Sequence, residues 1–182
     1  MKTIKKPSVT QLIKLLDKPA LLGWANKQGL KGIDIAEKRK EWLSYGSSLH
    51  NQIYEYIKTG TKLTSYDAQI NLEKFFSGIN IISAECKVEN EYFTGIYDLM
   101  YEKNGKIYLS DYKSNAKKIY FEHKLQIAAY SMCVDVDCYS IISIPNFTEM
   151  SFKLNDKENY IEILKSLSNI YKQKTIINES KL

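Results

Sequence analysis

Arginine is nearly absent from this chain: Arg39 stands alone among 26 basic residues in a sequence of 182. Lysine is a point charge without the planar fork of guanidinium, so a lysine surface favours sequence-tolerant phosphate contact over bidentate reading of bases. A genome-wide preference for lysine would leave the same imprint. Cysteine is scarce as well. Cys86, Cys133 and Cys138 are odd in number and show no CxxC spacing, which argues for a reducing compartment. No apolar run approaches the length of a membrane span, and Lys14, Asp17 and Lys18 interrupt the amino-terminal segment where a signal peptide needs uninterrupted apolar residues. The expectation is a cytoplasmic protein with no membrane partner. Repeats and low-complexity segments are also missing.

What is present is an ordinary globular composition, 44% hydrophobic and 26% charged, in a chain long enough for one domain with a real core. The net charge of +5 is a mild basic excess, compatible with a polyanionic partner. Ser8 or Thr10 can cap a short helix through Leu16, ended by Pro19. A second helical segment spans Ala20–Gln28, with Gly29–Gly32 as its loop. Ile35, Trp42, Leu43, Leu49, Ile53, Tyr54 and Ile57 recur at helical spacing, predicting one long amphipathic helix from Asp34 to Ile57, or two broken near Gly46. A further helix covers Tyr66–Phe76.

The character then changes to strands: Ile79–Val88, followed by a hairpin around Asn104-Gly105. Phe121–Val134 reads as a helix, Tyr139–Pro145 and Glu149–Leu154 as strands turning at Pro145-Asn146, and Asp156 as the cap of a last helix to about Tyr171. The order predicts an α/β fold with a mixed sheet. Within one domain over residues 1–182, residues 1–78 are mainly helical, 79–154 form the sheet core with its motif helix, and 155–182 carry the carboxy-terminal helix.

The hairpin stretch GIYDLMYEKNGKIYLSDYKSN, Gly95 to Asn115, poses an electrostatic problem. Asn-Gly tolerates the two positive φ angles of a type I′ turn, so Lys103 pairs with Lys106 and, counting outward, Asp98 faces Asp111. Alternation places Ile96, Asp98 and Met100 on one face with Ile107, Leu109, Asp111 and Lys113. Opposed like charges on an apolar face are destabilising. A divalent cation between the carboxylates relieves that repulsion, and hard oxygen ligands suit Mg²⁺ or Mn²⁺. Two carboxylates, a metal and Lys113 make a phosphodiester hydrolysis site. The alternative is a solvent-facing pair with Lys113 as a surface ion-pair partner.

Other residues join this reading. His50 follows Gly46 by one turn on the same helix face and is either an isolated histidine or a metal ligand. Gln126 and Tyr130 are spaced i to i+4, suited to holding phosphate or orienting water or Lys113; otherwise they form a polar helix edge. Glu85 is embedded in an apolar strand, as an edge residue or as part of the site. Lys117, Lys118 and Lys124, with Tyr120 and Phe121 between them, offer charge and aromatic faces for nucleic acid, or form a solvated loop.

GSSLH at Gly46–His50, GIYD at Gly95–Asp98, DYK at Asp111–Lys113 and QIAAY at Gln126–Tyr130 together resemble the RecB-like, phage-type exonuclease branch of the PD-(D/E)XK nuclease superfamily. The amino-terminal SVTQLIKLLDKPALLGWA stretch also looks like the opening of small phage-type members. The resemblance implies a restriction-endonuclease-like core with a mixed central sheet flanked by helices. Asp98, Asp111 and His50 would bind the metal, with the Tyr112 carbonyl completing its shell. Lys113 would be the catalytic lysine, Gln126 and Tyr130 the substrate-positioning pair, and Glu85 a further acidic group of the catalytic set. Members with an iron–sulfur cluster need four cysteine ligands, against the three here. The implied activity is Mg²⁺- or Mn²⁺-dependent hydrolysis of DNA, on single strands or duplex ends, by an exonuclease of recombination, repair or phage DNA processing, as a homo-oligomer or within a recombination complex. The competing expectations are an inactive DNA-binding scaffold with the same fold and a nuclease directed at RNA.

Overall fold

Asn104 and Gly105 adopt φ of 54° and 70°, and Lys103 pairs with Lys106 across them, as a two-residue turn requires. In the computed structural model, which describes residues 5–16 and 19–179, this hairpin lies within a five-stranded sheet. Asp17 and Lys18 fall outside the described residues.

The elements in order are α1 (Val9–Ile13), α2 (Pro19–Gly29), α3 (Ile35–Thr59), α4 (Tyr66–Phe76), β1 (Asn80–Glu89), β2 (Thr94–Lys103), β3 (Lys106–Ser114), α5 (Phe121–Tyr130), β4 (Cys138–Ile144), β5 (Thr148–Phe152) and α6 (Lys157–Glu179). Strand order in the sheet follows the chain. β1, β2 and β3 form an antiparallel meander, β3 and β4 are parallel, and β4 and β5 are antiparallel. A parallel pair needs a long crossover, which is why α5 returns along β3 and carries Gln126 and Tyr130 with it. The result is a mixed five-stranded sheet flanked by helices, an α/β fold consistent with a restriction-endonuclease-like core. Among the described residues, no helix is long and apolar enough to cross a membrane.

Local chemistry explains most element ends. Ser8 and Gln11 form a reciprocal capping box on α1, and the Asp34 carboxylate accepts the Ala36 and Glu37 N–H groups at the start of α3. Gly60, at φ 77°, closes that helix. Of the two alternatives for α3, the structure takes the single helix, unbroken at Gly46. Other boundaries differ from expectation. α1 ends at Ile13 rather than Leu16. Pro19 opens α2 instead of ending α1, because its missing N–H has no intrahelical partner at a first helical position. α5 stops at Tyr130 rather than Val134: the Ser131 hydroxyl donates to the Ala128 carbonyl at 2.9 Å, while the Met132 and Cys133 N–H groups tighten onto Ala129 and Tyr130. α6 continues past Tyr171 to Glu179.

Apolar side chains are buried on both faces of the sheet. Val9, Leu12, Leu125, Ile127 and Leu164 from α1, α5 and α6 meet Leu109 and Ile141. Leu49 and Ile53 of α3 and Leu72 of α4 pack with Leu99, Tyr101, Tyr112, Ile142 and Phe147. Adjacent Ile141 and Ile142 thus serve opposite layers, as strand alternation dictates. Burying each such Leu or Ile contributes about 1.5–3 kcal/mol, so both layers hold the sheet. The first turns of α3 receive no such cover. Trp42 and Leu43, grouped by spacing with the inner face, are 51% and 62% exposed.

Candidate metal and phosphodiester site

The site forms where the strand ladders open. β1 pairs Ala84 with Leu99 and Cys86 with Tyr97, and between them Glu85 sits at φ 49°. That left-handed conformation costs a non-glycine residue about 1–3 kcal/mol and takes its side chain off the regular alternation. The β2–β3 ladder runs from Lys103–Lys106 to Leu99–Ser110, one step short of Asp98 and Asp111. There the Asp98 carboxylate accepts the Tyr112 N–H at 2.6 Å, doing for that donor what a strand carbonyl would otherwise do. The register read from Asn104-Gly105 therefore holds up to the last paired residues, and beyond them a side chain bridges the strands. Alternation also breaks at this point. Tyr97 packs in one layer while Leu99 and Tyr101 pack in the other.

His50 reaches the same place from α3. Gly46, one turn earlier, lets the helix lie close to β3, since a Cβ there would stand 3.0 Å from Ser114 Oγ. The imidazole meets the Tyr112 ring edge-on at 5.4 Å. Its Nδ1 is 3.7 Å from Asp98 Oδ2 and 3.9 Å from Glu85 Oε1. These separations are too long for hydrogen bonds. Two ligands held about 2.1 Å from one ion stand at most about 4.2 Å apart, so both spacings fall within the reach of a shared cation. One ligand atom from each of His50, Glu85 and Asp98 lies within 4.8 Å of the other two. An imidazole and two carboxylates could hold a divalent ion.

Asp111 stands beside this group and faces Lys113. Lys113 Nζ is 2.5 Å from Asp111 Oδ2, a charge contact rather than a well-directed hydrogen bond, since that oxygen has no directed donor. Lys113 also donates to Gln126 Oε1 at 3.0 Å, and Gln126 Nε2 donates to the Tyr130 hydroxyl at 3.0 Å. The i to i+4 pair on α5 is thus a brace for the lysine. Gly95 makes room for it: a Cβ there would come within 2.6 Å of Tyr130 Cε1.

The charges are in tension. Burial, followed by the Asp111 charge, holds the Asp98 carboxyl well above the usual carboxylate range, against the pull of Lys113 and the Tyr112 N–H. Burial and then Asp111 push Glu85 up as well. Burial lowers the His50 imidazole, with Asp111 and a hydrogen bond to the Tyr112 backbone acting the other way, so a neutral ring nitrogen is available as a ligand. For Lys113, burial depresses the ammonium, but the Asp111 charge and contact together with the Asp98 charge more than offset it, and the group stays protonated. A cation among Asp98, Glu85 and His50 would relieve the crowding that raises both carboxyls.

Of the residues singled out in the sequence, His50, Glu85, Asp98, Asp111, Tyr112, Lys113, Gln126 and Tyr130 converge here. The lysine loop is arranged differently. Lys117 and Lys118 are exposed, Lys118 lies 4.9 Å over the Tyr120 ring, and Lys124 lies 5.9 Å over the Phe152 ring on β5. Arg39, Trp42, Leu43 and Ser47 are not among the site residues that the sequence singles out, yet with His50, Glu85 and Lys113 they line a cavity of about 490 Å³. Their signal was the spacing of Arg39, Leu43, Ser47 and His50 along one stripe of α3.

No family model matches the chain. It is 28% identical over 136 residues to the CRISPR-associated exonuclease Cas4 of Francisella tularensis subsp. novicida (strain U112), a match covering 74% of this chain and 62% of that relative. The match thus spans less than two thirds of the relative's length. The crystal structure of SSO0001 superposes with a TM-score of 0.47 at 14% identity, over 93% of this chain and 78% of that one.

Proposed function

We propose that this chain is a divalent-metal-dependent nuclease that hydrolyses DNA phosphodiester bonds, acting as an exonuclease in recombination, repair or phage DNA processing. The observation that carries the reading is the placement of the His50–Glu85–Asp98 group next to the Asp111–Lys113–Gln126–Tyr130 chain of contacts. The likeness to an exonuclease over 74% of the chain supports the same chemistry.

His50, Glu85 and Asp98 would hold the ion, with Asp111 and the Tyr112 carbonyl adjoining. Bound there, Mg²⁺ or Mn²⁺ supplies Lewis acidity toward the phosphate and an acidified water. Lys113 keeps its proton and places a positive charge where negative charge grows on the phosphate oxygens. Gln126 fixes the reach of that ammonium by accepting a hydrogen bond from it, and Tyr130 fixes Gln126 in turn. Residues on α5 therefore position the lysine without touching the reacting atoms themselves.

The test is cleavage of end-labelled linear and circular DNA by purified protein with Mn²⁺, beside Asp111→Ala and Lys113→Ala. Each variant should lose about 10²- to 10³-fold in rate, the usual cost of removing a charge-stabilising group. Undiminished cleavage by both would overturn the assignment. Degradation of linear but not circular DNA identifies an exonuclease, and RNA of the same sequence serves as the second substrate.

A further inference from the structure

The first turns of α3 leave a large apolar surface open beside the site. Trp42 is 51% exposed and Leu43 is 62% exposed, and Leu21, Leu22 and Trp24 of α2 are exposed as well. The Trp24 and Trp42 rings are 5.9 Å apart at 43°, so Trp42 is braced on one side and open on the other. Exposure of Trp42 and Leu43 together at the rim of one cavity, with Trp24 against Trp42, points to a binding surface rather than to scattered apolar residues.

Two observations say what binds. First, Trp42, Leu43 and Arg39 line the same cavity as His50, Glu85 and Lys113, so anything entering the proposed catalytic pocket from this side passes over them. Second, the chain's single arginine is placed there. Arg39 also borders an adjoining cavity of about 300 Å³ that reaches Gln126, the brace of Lys113. Lys38 and Lys40 flank it, as do Glu37 and Glu41 one step further out. A flat aromatic face, an apolar neighbour and a guanidinium leading into a phosphodiester site match an unpaired nucleotide: a base to stack and a phosphate to hold. In a duplex the base faces are already stacked and closed to Trp42.

We propose that the Arg39–Trp42–Leu43 face of α3 is the track for a single nucleic-acid strand leading into the site, with Trp42 stacking on a base and Arg39 holding a phosphate. The proposal rests on the nuclease reading and makes single strands, or unpaired ends, the substrate class.

The test is binding without catalysis: fluorescence anisotropy of a labelled oligo(dT) strand and of a blunt duplex, both in EDTA. Trp42→Ala should weaken strand binding about 5- to 150-fold, the range for loss of one base–aromatic stack. Trp42→Phe should retain most of the affinity, and duplex binding should stay unchanged in both variants. A strand carrying abasic sites should bind the unmodified protein as weakly as the normal strand binds Trp42→Ala, with no further loss when the two changes are combined. The loss on the abasic strand is read on the unmodified protein, so that half of the arm does not depend on the variant folding. Strand affinity unaffected by Trp42→Ala, or equal loss for strand and duplex, overturns the proposal. Strand binding through Trp42 by a protein that never cleaves with Mn²⁺ would count against the nuclease reading alone.

Discussion

From Leu49 onward α3 lies against the sheet, with Leu49 and Ile53 buried and His50 turned toward Asp98. Over its first turns the same helix, with the same three-and-four spacing of apolar residues, leaves Trp42 and Leu43 in the open. The difference lies in what stands opposite. The second half faces Leu99, Tyr101 and Tyr112 of β2 and β3, whereas the first half extends past the cavity next to His50. Helical periodicity says which face of a helix is apolar, and it is silent on whether another element covers that face. One half therefore contributes to stability and the other is free for binding.

The comparison breaks or sharpens most clearly by paired truncation. Ile53→Ala should cost about 2–5 kcal/mol in urea unfolding, the range for emptying a packed core position. Leu43→Ala, on the open half, should fall within about 0.5 kcal/mol of the parent. A large loss at Leu43 would mean that the first turns of α3 are covered after all, and the contrast between the halves would disappear.

A smaller effect is expected where the covered region meets the site. Gly95→Ala places a methyl 2.6 Å from the Tyr130 ring and should destabilise the fold by about 1–3 kcal/mol through overpacking. Because Tyr130 braces Gln126 and Gln126 braces Lys113, the cleavage rate should fall with it. A stability loss with an unchanged rate would show that the brace is dispensable.

The smallest shift concerns charge. The Asp98 carboxyl is held above its usual range in the folded chain by burial and by Asp111. A raised pKa contributes stability that is full below the unfolded value, near 4, and is lost as pH rises through the folded value. Metal-free protein should therefore melt at a lower temperature near neutral pH than Asp98→Asn, and the gap should close on acidification. Added Mn²⁺ should raise the melting temperature of the parent more than that of Asp98→Asn. A variant that melts below the parent at every pH in EDTA would contradict a crowded carboxylate.

Much of this molecule was legible in its residues because the signals were local. Asn104-Gly105 specifies its own positive φ angles and with them the hairpin register. Asp34 and Gly60 mark the ends of α3, and the spacing of Gln126 and Tyr130 puts them on one face of α5 whatever the surroundings. His50, Asp98, Asp111 and Lys113 could be singled out on the same footing. Boundaries that differ from the residue pattern, such as those at Pro19 and Ser131, depend on where the neighbouring chain turns away, and a residue pattern carries little of that.

Other features were decided only when elements from distant parts of the chain met. Glu85 takes φ 49° and joins His50 and Asp98 because the β1–β2 ladder opens beside it. Asp98 takes the Tyr112 N–H and Asp111 faces Lys113, so two aspartates read as an opposed pair are divided between a ligand group and a lysine. Gly95 matters through the Tyr130 ring, far from it in sequence. By itself the sequence determined turns, caps and helix faces, since each depends on a few adjacent residues and their dihedral preferences. Only the tertiary structure decided which faces are covered and which charges meet, because burial and Coulomb energy depend on distances between elements that the chain order does not specify.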